Sequence, residues 1–205
     1  MQIRRLVLGD LETNCYVVSD SACNAVIIDP ADDAEQLMAF LRQNYLSVVA
    51  IVLTHVHFDH MLAAKAVRDA CNVPLYIGQG DADAMTNPVR NLSGLFSSDK
   101  PITIADFICV CDGDSIRVGE LSFDIIETPG HTPGCICLRC GDVLFSGDTL
   151  FADSIGRLDF PGGDPLAMQK SLLRLMQLPA KTKVFPGHGP ETTIGREVEH
   201  NPYLR

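Results

Sequence analysis

The stretch THVHFDH at residues 54–60 places three histidines and one aspartate within seven positions. The whole chain has only six histidines. His55 and His57 are two positions apart, so in an extended segment their side chains project to the same side. Asp59 and His60 follow, next to the predicted start of a helix, and can turn towards a second point. Imidazole and carboxylate groups together are ligands for Zn²⁺ and also for Fe or Mn.

Three further candidate ligands lie downstream. His131 lies in TPGHTPG, Asp148 in SGDTLF and His188 in FPGHGP. Glycine and proline form tight turns, which can hold a ligand on irregular backbone. A lone histidine is more often structural than ligating. Five histidines that follow three predicted strands, accompanied by two aspartates, instead indicate a metal site.

Hydrophobic periodicity predicts the elements that position these residues. Predicted helices cover residues 33–44 (capped by Asp32 or Asp33), 61–71, 165–178 and 193–200. Predicted strands cover residues 3–8, 15–19, 25–28, 48–53, 75–77, 121–127, 135–138, 143–146 and 183–185, with a hairpin turn at Gly119–Glu120. Residues 81–98 are ambiguous, with a short helix and then a loop as one interpretation. The candidate ligands follow strand ends, and such loops converge at one sheet edge.

The element order predicts an α/β (α+β) fold. Two mixed β-sheets packed together with helices outside fit it, and other α/β layouts fit nearly as well. The 205 residues predict one domain over residues 1–205. Hydrophobic residues make up 46% of the chain, enough for a core without disulfides. The eight cysteines are therefore interpreted as reduced thiols.

Net charge and the lack of long apolar runs restrict the possible partners. The formal net charge is −10, which disfavours nucleic acid. No stretch approaches the ~20 apolar residues of a membrane span, and the N-terminus lacks a signal-peptide pattern. We therefore expect a cytoplasmic protein with a small-molecule substrate and no nucleic-acid or membrane partner. The sequence indicates no oligomeric state.

The combined pattern resembles the metallo-β-lactamase fold superfamily over nearly the whole chain. The signature His-x-His-x-Asp-His is followed in family order by the three downstream motifs. The resemblance implies a four-layer αββα sandwich of two mixed β-sheets. It also implies two divalent metal ions, with Zn²⁺ favoured and Fe or Mn as alternatives. The implied ligands are His55, His57 and His131 for the first metal, Asp59, His60 and His188 for the second, and Asp148 as a bridge.

Within the superfamily, the chain is most similar to short, single-domain glyoxalase II-like (hydroxyacylglutathione hydrolase-like) enzymes. The stretch SIGRLDFPGGD at residues 154–164 and the ending GHGPETTIGREVEHNPYL carry this likeness. Full-length glyoxalase II has a helical C-terminal domain that helps to hold glutathione. Only 17 residues follow His188, so we expect no such domain here. Lactam-hydrolysing members fit less well, because they typically have cysteine at the position of Asp148 and lack a histidine matching His60.

The resemblance implies thioester hydrolysis, of S-lactoylglutathione or a related acyl-thioester, by a metal-bridging hydroxide. In this hypothesis Asp59 and Asp148 are the catalytic carboxylates: Asp59 ligates and orients the hydroxide, and Asp148 bridges the metals. One alternative is a persulfide dioxygenase-like oxidoreductase that holds one iron with residues matching His55, His131 and Asp148. Such enzymes share the GR-x-DF stretch at residues 156–160. A lactone or ester hydrolase is a further alternative.

Other residues have two interpretations each. Asp29 ends a predicted strand and either supports a ligand histidine or serves as a turn residue before Pro30. Arg157 either meets an anionic substrate group or caps a loop. Residues 86–101 form a loop that could shape the substrate pocket. Three nearby cysteines, Cys135, Cys137 and Cys140, are better explained as buried apolar residues than as a second zinc site.

Overall fold

A computed structural model describes residues 1–96 and 101–204 of the chain. The helices are α1 (Ala34–Gln43), α2 (Phe58–Met61), α3 (Ala64–Cys71), α4 (Ser93–Phe96), α5 (Pro165–Leu175) and α6 (Ile194–His200). The strands are β1 (Gln2–Leu8), β2 (Thr13–Ser19), β3 (Asn24–Ile28), β4 (Ser47–Val52), β5 (Leu75–Gly78), β6 (Ile108–Val110), β7 (Ser115–Val118), β8 (Leu121–Glu127), β9 (Ile136–Cys140), β10 (Val143–Gly147), β11 (Leu150–Phe151), β12 (Ser154–Ile155), β13 (Lys183–Pro186) and β14 (Thr192–Thr193). Short 3₁₀ turns lie at Gln79–Asp81, Ala84–Thr86 and Pro202–Leu204.

The strands form two mixed six-stranded sheets, and β11 and β12 form a separate two-stranded ribbon. The first sheet has the order β1-β2-β3-β4-β5-β6, with parallel pairing from β3 to β6 and antiparallel pairing of β1, β2 and β3. The second sheet has the order β14-β13-β10-β9-β8-β7, and β10 pairs in parallel with β13. The prediction of two mixed sheets is therefore confirmed.

Three apolar layers hold the sheets and helices together. The alternation along β3 shows the arrangement: Ala25 and Ile27 pack towards α1 and α3, whereas Val26 and Ile28 pack between the two sheets. On the far side of the second sheet, Leu144 packs in the layer that includes residues of α5 and α6. Three apolar layers separate four layers of structure, so the αββα sandwich is confirmed.

One predicted helix is confirmed only in part. The sequence predicts a helix over residues 61–71, and α3 covers residues 64–71 of it, but the helix is interrupted between Met61, where α2 ends, and Ala64. The backbone N–H of Ala63 donates to the carbonyl of Pro30 at 3.0 Å, a long-range partner that replaces a helical one. Asp59 and His60, which the sequence places at the start of a helix, lie inside the short helix α2.

Smaller differences occur at other element ends. Helix α1 begins after Asp33, whose side chain accepts from the backbone N–H of Gln36 at 2.9 Å, so Asp33 is the cap. Helix α5 ends at Leu175, not at residue 178. The ambiguous stretch 81–98 contains a 3₁₀ turn and α4, and its last two residues lie outside the described part of the chain. Strands β6, β11, β12 and β14 were not predicted, because runs of two or three residues carry little periodicity.

The cysteines are free thiols. Cys137 and Cys140 pack in two different apolar layers, and Cys135 is also buried. Burial raises the pKa of all three thiols. They therefore behave as small apolar residues, as the sequence predicts. Among residues 1–96 and 101–204, no helix has the length and apolar character needed to cross a bilayer.

Candidate metal centre

All seven predicted ligands lie at one edge of the sandwich. The connections that carry them follow four strand ends: His55, His57, Asp59 and His60 follow β4, His131 follows β8, Asp148 follows β10 and His188 follows β13. Their side-chain donor atoms form three overlapping groups, each with its atoms within 4.8 Å of one another. These groups are His55–His57–His131, His55–His60–Asp148 and Asp59–His60–His188. The structure thus brings together residues that are up to 133 positions apart in sequence.

The first group consists of three buried imidazoles. The ring centroids of His55, His57 and His131 lie 4.6–4.8 Å apart, with the rings nearly perpendicular. The Nε2 atoms of all three are buried and have no hydrogen-bond partner, and the same holds for Oδ1 of Asp148. Buried polar atoms without partners are costly and uncommon. The three imidazole nitrogens belong to one donor group, and Asp148 belongs to the adjoining group that shares His55, so these unpartnered atoms fit bound cations.

The second group contains Asp59, His60 and His188. The distance from Oδ2 of Asp59 to Nε2 is 3.5 Å for His60 and 3.3 Å for His188. The two Nε2 atoms are 3.3 Å apart. Ligands ~2.1 Å from one tetrahedral ion lie roughly 3.4 Å from each other. The spacing of this group therefore also fits a cation.

Asp148 lies between the two groups. Its Oδ1 is 3.5 Å from Nε2 of His60, and its Oδ2 is 3.7 Å from Nε2 of His131 and 3.6 Å from Nε2 of His188. One carboxylate thus approaches imidazoles of both groups. This is the position that a ligand shared by two cations requires.

The outer nitrogens of three ligand histidines are held by acceptors. Nδ1 of His60 donates to Oδ2 of Asp29 at 3.0 Å, the contact that the supporting role considered for Asp29 requires. Nδ1 of His131 donates to the carbonyl of Arg157 at 2.7 Å, and Nδ1 of His188 to that of Leu11 at 3.1 Å. Because these partners only accept, the proton of each neutral imidazole lies on Nδ1, and its Nε2 lone pair faces the centre.

Burial makes two first-group imidazoles neutral. Desolvation lowers the pKa of His57 to about 3, and it lowers the pKa of His55 well below the usual value. The neighbouring imidazoles also lower the pKa of both His55 and His57. A neutral imidazole has a free lone pair at pH 7, which metal binding requires.

In the second group, nearby carboxylates shift the pKa of an imidazole in the opposite direction, upward. Desolvation by burial acts to lower the pKa of His60, but Asp59, Asp148 and Asp29 outweigh it and raise that pKa to about 10. Burial raises the pKa of Asp59, but His60 and His188 outweigh it and lower that pKa below the usual range. In the metal-free protein, an imidazolium at His60 therefore holds the carboxylates together. A cation at this position would take over the role of that proton.

Asp81 supports the site, although its role was not predicted from the sequence. Its Oδ2 accepts from the backbone N–H of Val56 at 3.2 Å and from Oγ1 of Thr132 at 2.8 Å. Its Oδ1 accepts from the backbone N–H of Gly134 at 2.8 Å. Asp81 thus links the loop that carries His55 and His57 to the loop that carries His131. A signal for this role was present in the sequence, because Asp81 closely follows the end of β5 at the same sheet edge.

Gly187 explains why a glycine precedes His188. A Cβ at position 187 would overlap Oδ1 of Asp148 and would lie 2.7 Å from Cε1 of His60. Only glycine lets this backbone pass so close to both side chains. The backbone N–H of Gly187 donates to the carbonyl of Gly147 at 2.9 Å, which joins the Asp148 loop to the His188 loop.

A cavity of about 840 Å³ opens over the centre. Its walls include candidate ligands of both groups and several apolar side chains, among them Phe58, Leu62, Phe96, Phe151 and Phe160. Leu92 and Phe96 are the contribution of the loop predicted to shape the pocket, whose residues 97–100 lie outside the described ranges. Arg157 also lines the cavity, and its guanidinium pairs with Asp159 at 2.7 and 2.8 Å.

Comparison over most of the chain identifies its family. The family model of the metallo-β-lactamase superfamily matches residues 8–188, which include all seven candidate ligands. The chain belongs to the metallo-β-lactamase superfamily. Its αββα sandwich and the position of the His/Asp cluster are therefore features of that family in this chain.

Several members of the superfamily are similar over their full length. The probable metallo-hydrolase YqgX of Bacillus subtilis is 35% identical, covering 100% of this chain and 98% of the relative. The hydroxyacylglutathione hydrolase GloC of Haemophilus influenzae is 32% identical, with the same coverage of 100% and 98%.

Three solved structures of the superfamily are similar in fold. The B3 metallo-β-lactamase BLEG-1 is 40% identical, with a TM-score of 0.93 and coverage of 99% of both chains. TTHA1623 in a di-iron-bound form is 36% identical, with a TM-score of 0.89 and coverage of 98% of this chain and 100% of the other. ETHE1 from Myxococcus xanthus is 32% identical, with a TM-score of 0.80 and coverage of 98% and 84%.

Proposed function

We propose that this member of the superfamily is a binuclear metallo-hydrolase that cleaves thioesters, S-lactoylglutathione or a related acyl-thioester. The observation that carries the proposal is the pair of adjoining donor groups with Asp148 between them. The likeness to the GloC hydrolase supports the thioester class. The reaction adds the oxygen of water to the acyl carbon and breaks the C–S bond, whose electron pair leaves with sulfur.

The two groups divide the proposed ligands. One cation would be held by His55, His57 and His131, the other by Asp59, His60 and His188, and Asp148 would be shared. Zn²⁺ suits this imidazole-carboxylate set, and Fe or Mn are alternatives. The di-iron form of TTHA1623 supports iron as one of these alternatives. When bound, such cations polarise a carbonyl and lower the pKa of water towards neutrality.

The chain's own side chains would hold the reactants in place. Asp59 would orient the attacking water, and its Oδ2 is fixed by a 3.0 Å hydrogen bond from Oγ1 of Thr13. Asp29 keeps the proton of His60 on Nδ1 and so keeps Nε2 towards the centre. A thiol of pKa ~8.5 leaves readily as the thiolate, so the site needs no dedicated general acid.

Three other functions are candidates for this centre. The GR-x-DF stretch at residues 156–160 supports a persulfide dioxygenase-like oxidoreductase with one iron, held by residues matching His55, His131 and Asp148. The second donor group, with its contacts of 3.3–3.5 Å, favours two cations instead. The likeness to BLEG-1 favours lactam hydrolysis. A lactone or ester hydrolase would use the same centre with a different pocket.

Metal analysis followed by a substrate panel tests the proposal. We expect protein purified without added metal to carry up to two divalent cations per chain, and reloading after chelation to restore S-lactoylglutathione hydrolysis. The panel includes a persulfide with an oxygen electrode, a chromogenic cephalosporin and a lactone. One iron per chain with oxygen consumption on the persulfide would overturn the proposal in favour of the oxidoreductase. Lactam turnover without thioester turnover would overturn it in favour of the lactamase.

A further inference from the structure

We infer that the preferred substrate is a thioester with an aromatic acyl group and a thiol carrier that bears no negative charge. This inference rests on the proposed thioesterase function and narrows its substrate class. Two features of the cavity carry it: a continuous aromatic wall that begins at a ligand histidine, and lining charges that do not suit an anionic carrier.

The aromatic wall consists of Phe160, Phe96 and Phe58. The ring of Phe160 lies edge-to-face with that of His57, with centroids 5.8 Å apart. Phe96 is 5.8 Å from Phe160 and 6.3 Å from Phe58, and it stacks on Phe58 at an interplanar angle of 25°. Aromatic rings favour these separations and orientations. The wall therefore starts beside the proposed reaction centre and continues along the cavity.

The wall ends in an apolar mouth. The side chain of Phe96 is 56% exposed and that of Leu11 is 53% exposed, and both line the cavity. Across the centre, the ring of Phe151 lies 6.2 Å from that of His188. Apolar surface grouped around a cavity marks a place where a ligand is bound. A phenyl group that entered here would cover these rings, whereas a small hydroxylated lactoyl group would leave them exposed.

The charges along the cavity disfavour an anionic carrier. Among the lining residues that the structure describes, Arg157 is the only lysine or arginine, and its two hydrogen bonds to the carboxylate of Asp159 offset its charge. Its guanidinium carbon also lies 4.0 Å from the centroid of Phe160, so it is stacked on the wall. Asp10 and Asp32 also line the cavity. Glutathione carries two carboxylates and one ammonium group. Away from the proposed cations, its carboxylates would meet Asp10 and Asp32 and no free cationic side chain of the described lining, and like charges in a confined cleft repel.

A set of four thioesters tests the preference for the acyl group independently of the preference for the thiol carrier. They combine a phenylacetyl or lactoyl acyl group with N-acetylcysteamine or glutathione as the thiol. With the metal-loaded protein, we expect the highest kcat/KM for phenylacetyl-N-acetylcysteamine, roughly tenfold above each singly changed substrate. A highest kcat/KM for lactoylglutathione would overturn the inference and leave the thioesterase proposal standing. No turnover of any of the four would overturn the thioesterase proposal itself.

A binding measurement tests the same preference without turnover. The thioethers S-(2-phenylethyl)-N-acetylcysteamine and S-(2-phenylethyl)glutathione replace the carbonyl by a methylene and cannot be hydrolysed. By titration calorimetry, we expect the neutral thioether to bind several-fold more tightly, with a gap that narrows at high salt as charge repulsion is screened. Tighter binding of the glutathione thioether would overturn the part of the inference that concerns the carrier.

Phe96→Ala and its matched control Leu95→Ala test the preference for an aromatic acyl group. The two side chains are adjacent and similarly exposed, at 56% and 58%, but only Phe96 lines the cavity. We expect Phe96→Ala to raise KM for phenylacetyl-N-acetylcysteamine roughly tenfold with little change in kcat. The loss with lactoyl-N-acetylcysteamine should be much smaller, and Leu95→Ala should resemble the unmodified protein. Equal losses with both acyl groups would overturn the role of the wall.

Discussion

The two ends of the sandwich use buried carboxylates in opposite ways. At the turn end, where the β2–β3 and β7–β8 turns meet, Asp20 accepts hydrogen bonds from the N–H groups of Ala22, Asn24 and Glu120 and from the Asn24 amide, at 2.9–3.1 Å. At the site end, where the candidate ligands converge, Oδ1 of Asp148 and three imidazole nitrogens are buried without a partner.

This difference suggests that the turn end contributes to stability and the site end to function. A carboxylate that accepts four hydrogen bonds holds two sheets together and leaves no capacity for a ligand. Atoms left unpaired in the interior lower the free energy of unfolding, and they are retained where a ligand uses them. We therefore expect substitutions at the turn end to change stability and those at the site end to change turnover and metal affinity.

The largest expected effect is the loss of turnover in Asp148→Ala. The substitution removes the one carboxylate that approaches both donor groups. Metal-loaded turnover should fall by about 10³-fold or more, while the circular dichroism spectrum stays unchanged. His57→Ala should behave similarly. Turnover within a few-fold of the unmodified protein, with two cations still bound, would contradict the proposed role of Asp148.

Gly119→Ala should have the largest effect on stability. Gly119 has φ +56°, and a Cβ there would overlap Oδ2 of Asp20 and would lie 2.7 Å from the amide nitrogen of Asn24. We expect a loss of about 3 kcal/mol in urea unfolding. Gly141 is the matched control, because it has φ +63° in another hairpin turn, and no atom beyond Gly141 and its two chain neighbours lies within 4 Å of the position that a Cβ would occupy. Gly141→Ala should cost only about 1 kcal/mol.

Asp29→Asn tests whether Asp29 holds His60 of the second donor group in place. Asparagine tolerates the φ of +52° at this position, but its amide cannot replace both carboxylate oxygens that contact His60 and Thr54. Metal affinity, measured by competition with a chelator, should fall about 10–100-fold. Asp33→Asn is the control, since asparagine also caps helices and Asp33 caps α1. Equal affinities in the two variants would contradict the role of Asp29.

The smallest expected effect is a pH dependence at the turn end. The side chain of Asn24 and three backbone N–H groups hold the pKa of Asp20 below its usual value of 3.8. A depressed pKa contributes stability above the unfolded-state pKa and loses it as pH falls through the native one. The difference in unfolding free energy between the unmodified protein and Asp20→Asn should therefore be constant from about pH 8 to 5 and shrink below about pH 4. A difference that does not change with pH would show that Asp20 contributes through packing alone.

Much of the site could be predicted because its parts are local. The motif THVHFDH places four donors beside a strand end, and the turns around His131 and His188 are recognisable from their glycines and prolines. The position of Asp29 at a strand end was also readable, and the structure confirms its contact with His60. The predictions failed where a distant atom intervenes, as at Ala63, whose N–H donates to the carbonyl of Pro30 instead of continuing a helix.

The sequence by itself determined the types of the donors, their placement after strands and the superfamily. Only the tertiary structure decided which atoms stay unpaired and which of the donors lie beside carboxylates. The physical reason is that periodicity and turn chemistry act over a few residues, whereas desolvation and hydrogen bonding depend on neighbours from the whole chain. His188 illustrates this: its Nε2 faces the centre because its Nδ1 donates to Leu11, 177 positions away.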